Sequence, residues 1–171
     1  HIALGWRAPD QRDPDRFPLA VANQLLGGGW SSRLFQEIRE KRGMSYSVFS
    51  SVGSYHDAGT LSIYAGTSPD RVDELVGVVD EILADLVDEG PGDREIEVAR
   101  GGFEGATILG LEDSGSRMAR LATNMMLRDR VVPIDEYLDL VRAVTPDDVR
   151  RVMASVVGGT RSLAIVGPDL A

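Results

Sequence analysis

Two histidines, His1 and His56, and no cysteine are the starting stock for chemistry in this chain. Zinc needs about three convergent ligands, usually His, Cys, Asp or Glu, and helical sites place two of them four residues apart. His1 stands at the first position, His56 sits among turn-forming residues, and neither has a second histidine nearby. A structural or surface role is the expectation for His56. A Ser–His–Asp arrangement would have to use one of these two residues, and no Gly-x-Ser-x-Gly elbow occurs. The glycine-rich stretch Gly27-Gly28-Gly29-Trp30-Ser31-Ser32 lacks the lysine of a phosphate-binding loop and falls between two helical patterns, which excludes nucleotide binding there. Neighbouring acids such as Glu95 and Glu97, or Asp88 and Glu89, fall in polar helix ends, where solvated carboxylates are the default. Taken alone, these residues specify no active site.

The elements that would position such groups are readable. Ile2, Leu4 and Trp6 alternate with Ala3, Gly5 and Arg7 at strand period. Asp13 or Asp15 is expected to cap a helix from about Pro14 to Leu26, ended by the three glycines, each costing roughly 1 kcal/mol in a helix relative to Ala. Ser31 or Ser32 caps the next helix, with Leu34, Phe35 and Ile38 on one face and Gly43 as its left-handed stop. Two strands follow, one with Tyr46, Val48 and Ser50 on one side and one with Leu61, Ile63 and Ala65. His56-Asp57-Ala58-Gly59 joins them as a hairpin. Ser68-Pro69-Asp70 opens the clearest amphipathic helix, in which Val72, Leu75, Val76, Val79, Ile82, Leu83, Leu86 and Val87 recur at spacings of three and four; Gly90 ends it. Further helices are expected at about Asp93–Leu111, from Ser114 or Ser116 to Arg128, at Ile134–Ala143, and at Pro146–Val156, the last capped through Thr145. Met125 and Met126 are read as core packing. Ser162–Val166 is a last strand, closed by Gly167-Pro168. The pattern predicts one α+β domain over residues 1–171, a two-layer sandwich. One mostly antiparallel or mixed sheet of about four to five strands is covered on one face by long helices.

Composition narrows the classes of function. The chain has 171 residues, 43% hydrophobic and 26% charged, with a formal charge of −9. An excess of acid opposes general nucleic-acid binding, which needs Lys and Arg to neutralise phosphate. No apolar run approaches the roughly 18–20 residues that cross a bilayer. The sequence opens mid-strand without an initiator Met or a signal-peptide pattern and reads as a fragment of a longer chain. The lack of cysteine fits a reducing compartment such as the cytoplasm and is compatible with any location.

The stretch Leu25-Leu26-Gly27-Gly28-Gly29-Trp30-Ser31-Ser32-Arg33-Leu34-Phe35-Gln36-Glu37-Ile38-Arg39-Glu40-Lys41-Arg42-Gly43-Met44-Ser45-Tyr46-Ser47-Val48, followed by Gly59 to Thr67, resembles the C-terminal homologous domain of the pitrilysin and mitochondrial-processing-peptidase metallopeptidases. The patches Leu111–Leu121, Val144–Val149 and Val166–Pro168 resemble the same family in the same order. The resemblance implies the zinc-free half of a clamshell, with H-x-x-E-H, zinc and the general base in an N-terminal half. It implies an Arg and a Tyr seven residues apart in the substrate chamber, corresponding to Arg39 and Tyr46. Arg39 would donate a planar fork to peptide carbonyls, and the Tyr46 hydroxyl would donate to a developing oxyanion. A turn at Gly43 is expected to bring both to one rim. The residues Gly27, Gly28 and Gly29 match a glycine-rich segment implicated in substrate handling; the competing reading is a tight turn needing positive φ. Implied partners are a zinc-bearing N-terminal half or catalytic subunit, a peptide substrate and a second copy of the chain. Two other readings stay open: a non-catalytic assembly subunit, as in the core of a respiratory complex, and a free-standing peptide-binding module that uses a sheet edge.

Overall fold

The computed structural model describes residues 1–168. Strand β1 (Ile2–Ala8) leads to α1 (Arg16–Gly27), a π-helical segment (Phe35–Lys41), and the hairpin β2 (Ser47–Ser54) and β3 (Gly59–Gly66). Helices α2 (Val72–Asp88), α3 (Asp93–Gly110), α4 (Ser114–Arg128), α5 (Ile134–Arg142) and α6 (Pro146–Val157) follow, and β4 (Ser162–Ile165) returns to the sheet. The architecture is α+β. Its four described strands are all antiparallel, in the order β2-β3-β1-β4.

Strand alternation sets the two faces. Ile2, Leu4 and Trp6 of β1 lie beside Ala65, Ile63 and Leu61 of β3, all buried. Against this face pack Leu19, Ala22 and Leu26 of α1, Leu75, Val79 and Leu83 of α2, and Val149, Val152 and Met153 of α6. Each fully buried aliphatic side chain contributes about 1.5–3 kcal/mol relative to exposure. The outer face carries Ala3, Arg7, Ser47 and Thr60, with Phe49 against Tyr64 at 5.2 Å between ring centroids.

Some expected ends hold and some shift. Gly43 (φ 56°) and Gly90 (φ 76°) are the two positive-φ glycines, each just past a helix. Thr145 and Asp148 form a reciprocal capping box on α6. Neither Asp13 nor Asp15 caps α1. Asp13 Oδ1 accepts from the Asp15 N–H at 2.8 Å, and Asp15 turns to Arg151, whose two Nη atoms donate at 2.7 and 2.8 Å. Ser32 is buried and its hydroxyl caps nothing. Asp113, just before Ser114, caps α4 by accepting the Ser116 N–H at 2.6 Å.

Met125 and Met126 are a correction: they are 49% and 81% exposed. On α4 the one buried side chain is Asn124, while Met118 and Leu121 also face outward. The helix is tied to the body by arginines. Arg120 donates to Val132 O at 2.8 Å and lies over the Tyr137 ring. Arg128 reaches Gln11 Oε1 at 3.0 Å.

Candidate functional site

The turn from the π-helical segment into β2 is built by backbone bonds. The Gly43 N–H donates to Arg39 O at 3.1 Å and the Met44 N–H to Ile38 O at 2.9 Å. The positive φ of Gly43 lets the chain reverse there without the steric cost of a Cβ. Arg71 Nη1 and Thr67 Oγ1 donate to the carbonyls of Gly43 and Met44, at 3.3 and 2.7 Å, and lock the turn to the β3–α2 connection. Ser45 is buried and bridges to Ser47 through both its hydroxyl donor and acceptor.

Tyr46 sits between these anchored serines, one residue before β2. It is 92% exposed, whereas Val48 and Ser50, which share its parity, are buried. The alternation expected from sequence therefore starts after Tyr46, because the Ser45 bond sets the bend. Tyr46 lines a cavity of about 810 Å³ together with Met44, Thr67, Val72 and Ile165. Arg39 lies on the helical side of the turn. Its guanidinium is 4.8 Å from the Phe35 ring centroid and its Nε 3.7 Å from Glu40 Oε1. Arg39 is not among the residues lining that cavity.

The three glycines differ from one another. None has positive φ, which corrects that part of the tight-turn reading; the turn itself is closed by the Ser32 N–H donating to Gly29 O at 3.1 Å. Gly27 is the buried last residue of α1, and a Cβ there would lie 2.3 Å from the Ser50 backbone nitrogen. It is glycine so that α1 can meet β2. Gly28 and Gly29 precede Trp30, which is 83% exposed. Arg33, just beyond, clasps Glu95 through Nε and Nη2 at 2.6 and 2.8 Å and Asp85 at 2.6 Å, fixing this segment to the α2–α3 turn. The Glu95 bond holds the Arg33 guanidinium above its ordinary value.

The described residues do not fit a zinc ion. His1 Nδ1 is 2.7 Å from the Tyr64 hydroxyl, and His56 Nε2 accepts from Arg12. The two histidines flank opposite ends of the sheet, since Ile2 pairs with Ala65 and Ala8 with Gly59. Among the described residues no three His, Cys, Asp or Glu side chains converge in a way that could hold a metal. Sequence reasoning missed the ordering of Tyr46 by Ser45 and the arginine ties of α4, because both depend on contacts distant in sequence or on a serine rotamer.

Residues 1–103 match the sequence profile of the peptidase M16 inactive domain. The chain belongs to this family. Over 168 residues this M16 inactive domain is 40% identical to an uncharacterized zinc protease of Streptomyces coelicolor, covering 98% of this chain and 37% of that protein. The domain thus spans well under half of that curated relative. In shape it resembles a crystallised protease from Helicobacter pylori, with a TM-score of 0.85 and 21% identity, over 95% of this chain and 39% of that one. It is about as close to a chain of complex III2 from Candida albicans, with a TM-score of 0.84 and 17% identity, over 95% and 41% of the two chains. At such identities the likeness is one of fold, and a fold hosts several functions.

Proposed function

We propose that this M16 inactive domain is the substrate-contacting, metal-free half of a zinc peptidase, and that zinc and the general base come from a separate half. Its partners in this reading are that zinc-bearing half, an extended peptide, and a second copy of the chain. The observation that carries the proposal is Tyr46: a phenol held out of the protein by a buried serine, at the wall of a cavity of about 810 Å³. A phenol exposed on an anchored turn is free to make a contact beyond its own fold. Its hydroxyl can donate to an oxygen that gains negative charge as a peptide carbonyl is attacked. Loss of one such donor costs about 2.7–4 kcal/mol in the transition state. Arg39, resting on Phe35, keeps its outer N–H groups for peptide carbonyls. Gly28 and Gly29, with Trp30, add an exposed edge next to Gln36, whose Nε2 donates to Trp30 O at 2.7 Å.

The test is reconstitution. The 171-residue chain with added zinc is expected to leave a fluorogenic peptide intact. The same chain joined to, or mixed with, a zinc-bearing half is expected to cleave it, and a chelator is expected to stop the cleavage. Chelator-sensitive cleavage by the chain alone would overturn the proposal, as would full activity of the zinc-bearing half without it.

A further inference from the structure

At the other end of β2 from Tyr46, a cleft of about 440 Å³ opens between α1, α3, α5 and Ser54. That size is typical of sites for small organic ligands. Its apolar wall is aromatic: the Tyr137 ring meets Phe17 edge-on at 5.5 Å and lies 6.2 Å from Phe103. Two residues of the lining also hold polar atoms without partners, buried beneath its surface. Asn23 Oδ1 and Ser54 Oγ are buried and make no hydrogen bond within the described protein, and both residues line the cleft.

Charge supplies the second observation. Arg16 lines the cleft, half-buried, with its guanidinium 4.0 Å from the Phe17 ring centroid. Behind it Arg128, also half-buried, donates to Gln11 Oε1 at 3.0 Å and to Asn124 Oδ1 at 2.6 Å. No carboxylate among the described residues lies within ion-pair distance of either arginine. Burial first, and then repulsion from Arg128, hold the Arg16 guanidinium below its ordinary value. Arg33, by contrast, is held by two acids, Asp85 and Glu95. Arg16 is left without an acid beside a cleft that has room for an anion.

We infer that this cleft binds a carboxylate with an apolar body, the carboxylate on Arg16 with Arg128 behind it and the apolar part against Phe17, Phe103 and Tyr137. The carboxylate neutralises the unpaired Arg16 charge. The planar guanidinium suits a bidentate grip. The two sources of such a group are a free aryl or alkyl acid and the C-terminal carboxylate of a peptide. The site shares no residue with Arg39 or Tyr46, so its failure would leave the proposed peptidase role standing, and the reverse.

Calorimetric titration of the chain with 3-phenylpropanoate, and with a tripeptide ending in free phenylalanine, each beside its carboxamide, tests this. At least one carboxylate is expected to bind, with its amide at least tenfold weaker. Binding of the small acid alone assigns a free acid, binding of the peptide alone assigns a peptide terminus, and binding of both admits either. Arg16→Gln is expected to weaken binding at least tenfold. Ala106→Phe, at an exposed helix position on the cleft, is expected to block it with an unchanged melting temperature. If Arg16→Gln proves unfolded by circular dichroism, Ala106→Phe decides. The inference is overturned if neither carboxylate binds, if the amides bind equally, or if either folded variant keeps wild-type affinity.

Discussion

From Ile2 to Ala99, each long element sends at least two side chains into one continuous core: Ile2, Leu4 and Trp6 from β1, Leu25 and Leu26 from α1, Leu83 and Leu86 from α2, Ile96 and Ala99 from α3. From Glu104 to Arg130, the one buried side chain is Asn124, and Ile108, Leu109, Met118, Leu121, Met125 and Met126 face outward. The first region is held by the removal of apolar surface from water. The second is held by a few guanidinium bonds, to the Val132 carbonyl, to the Asn124 and Gln11 amides and, at its two ends, between Arg142 and Glu104 and between Arg130 and Glu136. Both regions are helical, and α3 belongs to both, so helix formation is not the difference. The family profile ends at Phe103, where α3 leaves the core. Packing constrains a sequence tightly in the first region, while polar ties constrain only a few arginines in the second.

The widest gap between the regions should appear on truncation. Leu75→Ala, at a fully buried position of α2, is expected to cost about 2–5 kcal/mol in urea denaturation. Met126→Ala on α4 should change stability by less than about 0.5 kcal/mol. Equal losses would erase the distinction. Next comes the junction at Gly27, where any Cβ meets the Ser50 backbone. Gly27→Ala should destabilise by about 1–3 kcal/mol through overpacking, read as a lower melting temperature.

Arg128→Ala probes the second region on its own terms. It removes the bonds to Asn124 and Gln11. The expected result is faster hydrogen exchange confined to residues 114–128, with little change in the global melting temperature. A large global loss would mean that α4 belongs to the main cooperative unit.

The smallest effect concerns the Asp15–Arg151 pair that joins α1 to α6. The hydrogen bonds from Arg151 hold the Asp15 carboxyl below its ordinary value of 3.8. The unfolded chain therefore binds the proton first as pH falls. The pair's stabilisation is complete above about that ordinary value and disappears as pH falls through the depressed one. Asp15→Asn should flatten the acid limb of the stability–pH curve without moving the plateau's shape above it. An unchanged acid limb would show that the exposed pair contributes nothing.

Much of the first region was legible because its rules are local or periodic. The face of α2 follows from spacing alone, Gly43 and Gly90 announce positive φ, and Thr145 with Asp148 spells a capping box. Antiparallel pairing of β2 and β3 follows from the short connection at His56-Asp57-Ala58. What could not be read were choices made by distant partners. Asp15 is drawn away from the α1 end by Arg151, far along the chain. The apolar spacing of Met118, Leu121 and Met125 says which side of α4 is greasy but not what, if anything, covers it. The candidate site was legible in its residues through resemblance, while its geometry was not. Tyr46 shares the parity of buried Val48 and Ser50, and only the Ser45 bond takes it out of register.

In the proposed role this domain lends a hydrogen-bond donor to a reaction whose metal lies in the other half. Steady-state kinetics of Tyr46→Phe and Arg39→Ala in the protein carrying both halves test it most directly, alongside zinc content. Tyr46→Phe is expected to lower kcat by about a hundredfold or more and Arg39→Ala to lower kcat/KM, with bound zinc unchanged in both. Wild-type kcat and kcat/KM in both variants, or loss of activity that merely tracks loss of zinc, would contradict it.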